Sequence, residues 1–160
     1  MKHNMFYEIS LLILNKCSHL CIIEPSQWLI EGGKNMLSQK FYAVTQHEGV
    51  VSITSWGNDD KPNVRCTWNS YLRITEDERI LAPIAGFTSV QGDVAKNDRI
   101  ILTLGSREVE GFNNYQGTGF LVEGRAHFTD SGAEFEQMKA EFPFMNKLLE
   151  VTVESAKQLL

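Results

Sequence analysis

Asn63-Val64-Arg65-Cys66-Thr67-Trp68-Asn69-Ser70-Tyr71-Leu72 is the stretch on which the reading of this chain turns. Its branched and aromatic residues predict an extended strand over 63–74. A plain core strand carries Val or Ile here, whereas this one carries hydroxyls, an amide and an indole. Alternation puts Arg65 and Thr67 on one face. Taken alone, Trp68 reads as a core indole, and Arg65 equally as a solvated edge charge. Asn69 and Ser70 beside Trp68 favour a ligand laid along the strand.

The neighbouring segments extend the β pattern. Gly57-Asn58-Asp59-Asp60-Lys61-Pro62 is a turn, since Gly and Asn tolerate positive φ and Pro resists strand continuation. Before it, residues 50–56 alternate and are β-branched, as a half-buried strand requires. Ser38 as N-cap, with Phe41, Val44 and Thr45 following, predicts a short amphipathic helix ended by Gly49. Residues 79–84 form a short apolar strand, and 85–97 a loop leading to a helix near 91–96. Residues 99–104 are continuously apolar, which predicts a strand buried on both faces. An exposed loop is expected over 107–116.

Residues 117–128 then form a long strand with Gly119 and Gly124 as bulge or close-approach points. Ser131 and Glu134 have capping-box spacing, and Phe135, Met138, Phe142 and Met145 share one face of the helix that follows. Pro143 ends it. Residues 148–153 alternate as a last strand. Six short strands, two or three helices and no βαβ alternation give a mainly β, antiparallel barrel rather than a doubly wound sheet.

Composition sets the broad class. One domain fits in 160 residues, and 42% hydrophobic with 22% charged residues is ordinary for a globular protein. A net charge of −5 argues against nucleic acid or an anionic membrane as partner. Three cysteines make no disulfide framework, and a reducing cytoplasm is the expected compartment.

Residues 1–35 read differently. Their apolar clusters are interrupted by Asn15-Lys16-Cys17-Ser18-His19, so they make neither a membrane span nor a secretory signal. Cys17, His19 and Cys21 lack a second half-site and do not make a metal centre. Codons for Glu31-Gly32-Gly33 can spell a purine-rich ribosome-binding sequence just upstream of Met36. Translation is therefore expected to start at Met36, with 1–35 a translated leader and 36–160 the domain.

No assembled catalytic motif is visible: no phosphate-binding glycine loop, no dinucleotide fingerprint, no paired histidines at helical spacing. His47 and His127 lie far apart, and no serine sits in a nucleophile elbow. If the chain is an enzyme, its reactivity must come from a cofactor, with the protein supplying position and electrostatics.

Three segments occur in a telling order: Thr67-Trp68-Asn69-Ser70-Tyr71-Leu72, then Leu102-Thr103-Leu104-Gly105-Ser106-Arg107, then Gly117-Thr118-Gly119-Phe120. Together they resemble the small bacterial FMN-binding proteins of the pyridoxamine 5′-phosphate oxidase group, over nearly all of 36–160. The resemblance implies a six-stranded antiparallel Greek-key split barrel with flanking helices, acting as a homodimer around FMN. It places Thr67, Trp68, Asn69 and Ser70 along the cofactor, with the indole near the flavin ring. Ala85, Thr88, Ser89 and Val90 occupy the loop over the flavin and its phosphate. Glu48 matches an acidic residue close to the flavin, or else is a solvated carboxylate at a helix end. Phe144 matches an aromatic lining the same pocket, or else serves the helix face, and Leu160 reaches the ring from the other subunit. Gly117 and Thr118 permit close backbone approach to the ligand or to another strand.

Two positions depart from the family. Ser89-Val90 replaces a Lys-Thr pair, and Cys66 stands where an Asn is expected. Losing one charge-assisted contact costs roughly 1.5–3 kcal/mol. Arg65, on the Thr67 face, is placed to supply the missing charge. Cys66 is expected to be buried and inert. The implied function is a small flavin-dependent oxidoreductase or electron carrier, with NAD(P)H, if used, docking directly at the flavin. The alternatives are a barrel that has lost tight FMN binding, one that holds haem or a deazaflavin, or, by fold analogy, a vitamin B6 oxidase.

Overall fold

A computed structural model describes residues 36–58 and 61–160. The expectations for Cys17, His19, Cys21 and the leader fall outside the described residues. The strands are β1 (Val50–Trp56), β2 (Pro62–Trp68), β3 (Arg73–Ile74), β4 (Ile80–Ile84), β5 (Arg99–Glu110), β6 (Gln116–Thr129) and β7 (Lys147–Gln158). The helices are α1 (Gln39–Thr45), α2 (Thr88–Val94) and α3 (Ala133–Glu141).

All seven strands form one antiparallel sheet in the order β2-β1-β5-β6-β7-β4-β3. The two edge strands, β2 and β3, are consecutive in the chain. The single 3-10 turn Asn69–Tyr71 joins them, so the sheet must curl until its edges nearly meet. This is the expected split barrel, with seven strands rather than six. The strand read over 63–74 is divided because Asn69 turns inward.

Asn69 is fully buried and fastens that seam. Its backbone N–H donates to Gly49 O at 2.9 Å. Its side-chain Nδ2 donates to Val44 O, His47 O and Gly105 O at 3.2, 3.1 and 3.0 Å. Gly49 is required beside it, because a Cβ there would collide with Gly105 O and meet Asn69 Nδ2 at 2.6 Å.

The barrel interior is filled by alternate residues of the strands, among them Val51, Ile53, Ile100, Leu102, Leu104, Phe120 and Val122. Helix α1 plugs it with Phe41 and Val44, and Ser38 caps the helix by accepting from Phe41 N at 3.3 Å, as expected. Strand β5 is not buried on both faces: Ile101 and Thr103 are half-buried between the buried Ile100, Leu102 and Leu104. Strand β4 is buried throughout instead, because α3 covers its outer side through Leu81, Phe135, Met138, Met145 and Leu148.

Other differences have local causes. Strand β5 continues to Glu110, so only 111–115 of the expected loop lies off the sheet. Helix α2 starts at Thr88, three residues early, because Gly86 and Phe87 both adopt positive φ (84° and 57°) and turn the chain at once. Gly124 sits at the β6–β7 register shift, as its small size requires. Cys66 is exposed, since β2 is an edge strand with few neighbours.

The capping box does not form. Gly132 is the N-cap of α3, and the Ser131 carbonyl accepts from Thr129 Oγ1. Glu134 is taken by Arg79, which also bonds Asp77 at 2.9 Å and Glu150 at 3.0 Å. The Arg79 hydrogen bond holds the Asp77 carboxyl down at about 2 and lowers Glu134. Carboxylates depressed in this way stabilise the fold above their unfolded pKa, and the contribution fades as pH falls from about 4.5 towards 2. Arg79→Met is expected to destabilise by about 1 kcal/mol at pH 7, the scale of a part-exposed network. Urea unfolding of both proteins should show that difference vanishing near pH 2. A gap unchanged by acid would disprove the ionic origin.

Candidate functional site

The sequence-predicted residues fall into three groups. The first lies on β2 and α2. Thr67 is buried, while Trp68 at the strand end is 48% exposed. Val50, its partner across the ladder, is 51% exposed, so the two form an apolar wall open to the outside. Arg65 is exposed, and its guanidinium donates to the Val64 carbonyl at 2.8 Å.

Helix α2 packs on β1 and β2 and is pinned there by Asp93, which accepts from Ser55 Oγ and Asn63 Nδ2, each at 2.8 Å. The pin fixes the turn that carries the remaining predicted residues. Ala85 and Thr88 are exposed, Val90 enters the core, and the Ser89 hydroxyl is buried.

The second group is aromatic. Phe144 is 49% exposed, and its ring centroid lies 5.4 Å from that of Tyr71. Phe142 stands 5.4 Å from Tyr71 and carries the Arg73 guanidinium 5.0 Å above its ring. Tyr71, inside the decisive motif but not singled out by the sequence reading, thus joins the aromatic cluster of Phe142 and Phe144. Ser70 lies apart, in a shallow recess with Tyr42, Thr45 and Gln46.

The third group lines a cleft of about 530 Å³. Glu48, Gly117, Thr118 and Leu160 meet there with Gly49, Gly105, Ser106 and Glu108. Gly117 holds φ at 116°, a conformation that favours glycine. Thr118 Oγ1 donates to Leu160 O at 2.6 Å and accepts from Gln158 Nε2 at 3.0 Å. His47 Nδ1 stands 3.3 Å from Glu108.

Among the described residues, two buried side-chain polar atoms lack a hydrogen-bond partner: Asn69 Oδ1 and Ser89 Oγ. Buried polar groups are nearly always satisfied, so an orphan calls for a ligand or a reason. Both orphans belong to residues assigned to the cofactor by the resemblance. The indole wall, the hydroxyls of Thr67 and Thr88 and the Arg65 guanidinium are the kinds of group that an aromatic, hydrogen-bonding, phosphate-bearing ligand such as FMN requires. The two orphans add an acceptor and a donor of the same kind. Among the described residues no cluster of His, Cys, Asp and Glu could hold a metal ion. No described helix is long and apolar enough to cross a membrane.

Ser89→Ala separates binding from folding. Removing an orphaned hydroxyl should leave unliganded stability unchanged or raise it by about 1 kcal/mol. Affinity for FMN should fall about tenfold. Melting curves without ligand and flavin titrations check both halves. A loss of unliganded stability above about 1 kcal/mol would show that Ser89 has a protein partner.

Comparison with known proteins bears on the family and the fold. The family model described as pyridoxamine 5′-phosphate oxidase matches residues 37–159. An "FMN-binding protein" of Nitratidesulfovibrio vulgaris (strain Miyazaki F) is 43% identical over 125 residues, covering 78% of this chain and 100% of the relative. Among solved structures, HupZ of Group A Streptococcus superposes with a TM-score of 0.61 at 17% identity, covering 78% of this chain and 94% of that one. HutZ of Vibrio cholerae, described as a heme storage protein, does so with 0.54 at 12% identity, over 78% and 94%. These two likenesses speak for the fold alone. The family match over almost the whole described domain, and a relative aligned along its full length, mean that this chain belongs to the pyridoxamine 5′-phosphate oxidase family.

Proposed function

We propose that the chain binds FMN and works as a small homodimeric flavin-dependent oxidoreductase or electron carrier. The observation that carries this reading is the coincidence of Asn69 Oδ1 and Ser89 Oγ, unpartnered and buried, with the residues assigned to the cofactor. Asn69 Oδ1 is an acceptor for an N–H of the ring's polar edge. Ser89, Thr88, Thr67 and Arg65 are the donors for the phosphate, with Arg65 in place of the family's lysine. Trp68 offers the ring an apolar wall, and Tyr71 and Phe144 offer a second.

Bound there, FMN supplies the electron chemistry. The protein's share is to hold the ring, satisfy its edge and limit access by water. Half-exposed Trp68, Phe144, Leu159 and Leu160 leave apolar surface that a second copy would cover. The cleft of Glu48, Gly117 and Thr118 is then that copy's contribution to the flavin. Electron donor and acceptor, NAD(P)H included, would dock at the ring, in a reducing cytoplasm.

Haem is the second reading, favoured by the likeness to HutZ. Its support in the residues is weaker: His47 is engaged by Glu108, and His127 stands exposed on β6. One experiment separates them. The purified protein is mixed with excess FMN, or in parallel with haemin, freed of unbound ligand by size exclusion, and its visible spectrum recorded. A stoichiometric flavin spectrum in a dimer-sized peak is expected. A colourless protein overturns the proposal, and a Soret band alone moves it to haem.

A further inference from the structure

Glu78 sits in the turn between β3 and β4, with a φ of 61°. A non-glycine residue there bears backbone strain, which persists only where the surroundings hold it. The turn is closed by Glu78 N–H donating to Thr75 O at 3.0 Å. The result is a carboxylate aimed at the start of the fold. Met36 N donates to Glu78 Oε2 at 2.7 Å, and Leu37 N to Oε1 at 3.3 Å. Tyr42 adds its hydroxyl at 3.4 Å, and its pKa is raised by burial and by Glu78.

The 2.7 Å contact suits an amide donor and an ammonium donor alike. What goes beyond an ordinary tie to backbone amides is its place, at the start of the fold. Leu37, 1% exposed, is the first core residue, and the family match starts there. The relative from Nitratidesulfovibrio vulgaris aligns in full over 125 residues, the length of Met36–Leu160.

We infer that Glu78 is a receptor for a free α-ammonium group at Met36, an amino terminus generated at that residue. The pair would clamp the entry of α1 to the β3–β4 turn. Among the described residues, Tyr42 is the titratable group that shares the carboxylate with it.

The test uses protein purified from its native source. It is acetylated at a series of pH values from 6 to 11, digested, and its terminal peptide read by mass spectrometry. The peptide is expected to begin at Met36. Its amine should titrate above the ordinary α-amino value of about 7.7–8.0, since an opposite charge at this range favours the protonated form by a unit or more. Labelling at pH 8 should then be about fivefold slower than in Glu78→Gln. The sign follows from linkage: a raised amine pKa contributes stability below pH 8 and loses it as pH climbs through the folded value. An amino terminus upstream of Met36 overturns the inference. So does a Met36 amine that titrates at the ordinary value, a result read on the parent protein even if the variant fails to fold.

Discussion

Asn69→Asp is expected to lower folding stability by about 3 kcal/mol or more at pH 7, although the two side chains have the same shape. The Nδ2 group donates to three carbonyls that belong to the α1 end, the loop before β1, and β5. A carboxylate at that place offers only acceptors to those oxygens, in a position with no solvent exposure. Burial and the three facing carbonyl dipoles would raise the new carboxyl's pKa. A folded pKa above the unfolded value means that stability is present at low pH and lost as pH rises through it. The variant should therefore regain stability between pH 8 and pH 5. That trend is opposite to the acid loss tied to Arg79, which begins only below about pH 4.5. Urea denaturation at pH 5, 7 and 8 checks both claims. Stability within about 1 kcal/mol of the parent at pH 7 would remove Asn69 from the seam.

The Nδ2 side of the carboxamide is spent on the seam, and Oδ1 is buried without a protein partner. In the proposed reading one residue holds the sheet edges together and orients an acceptor. Gly49 shares the arrangement: it supplies the carbonyl for Asn69 N–H and lines the cleft of Glu48 and Thr118. Closing the split barrel therefore also sets one wall of that cleft. A donor set laid along a smooth core strand would not have needed that joint.

This dual role explains what the sequence could and could not reveal. Alternation marks β1 plainly, because Val51, Ile53 and Ser55 all turn inward. The face of α3 is equally plain in Phe135 and Met138. Asn69 looked like a strand residue because its partners, Val44, His47 and Gly105, lie far away in the chain. Cys66 looked buried because edge position is a property of topology, and no local pattern announces it. The Ser131–Glu134 capping box is a sound local signal, but Arg79 offers Glu134 two guanidinium contacts instead. Tyr71 was overlooked as a wall because Phe142 and Phe144, which give it meaning, come much later in the sequence. The residues assigned to the cofactor rest on resemblance, and spacing alone would not have brought Glu48, Thr118 and Leu160 to one cleft.

Trp68→Ala is expected to weaken FMN binding about 10- to 100-fold, the loss that accompanies removal of a large aromatic contact. The indole is half exposed at the end of an edge strand, opposite a half-exposed Val50. Little of its surface is committed to the core, so unliganded stability should change by less than about 1 kcal/mol. A core indole behaves in the reverse way, with a loss of about 3–5 kcal/mol on truncation to alanine. Stability and affinity measured on one variant thus decide between the two readings of this residue. Trp68→Phe should keep most of the affinity, since a ring face remains. The measurement is quenching of flavin fluorescence on titration with apoprotein, paired with urea denaturation. Unchanged affinity in Trp68→Ala would transfer the ring to the Tyr71–Phe144 wall, where Tyr71→Ala should then produce the loss that Trp68→Ala did not.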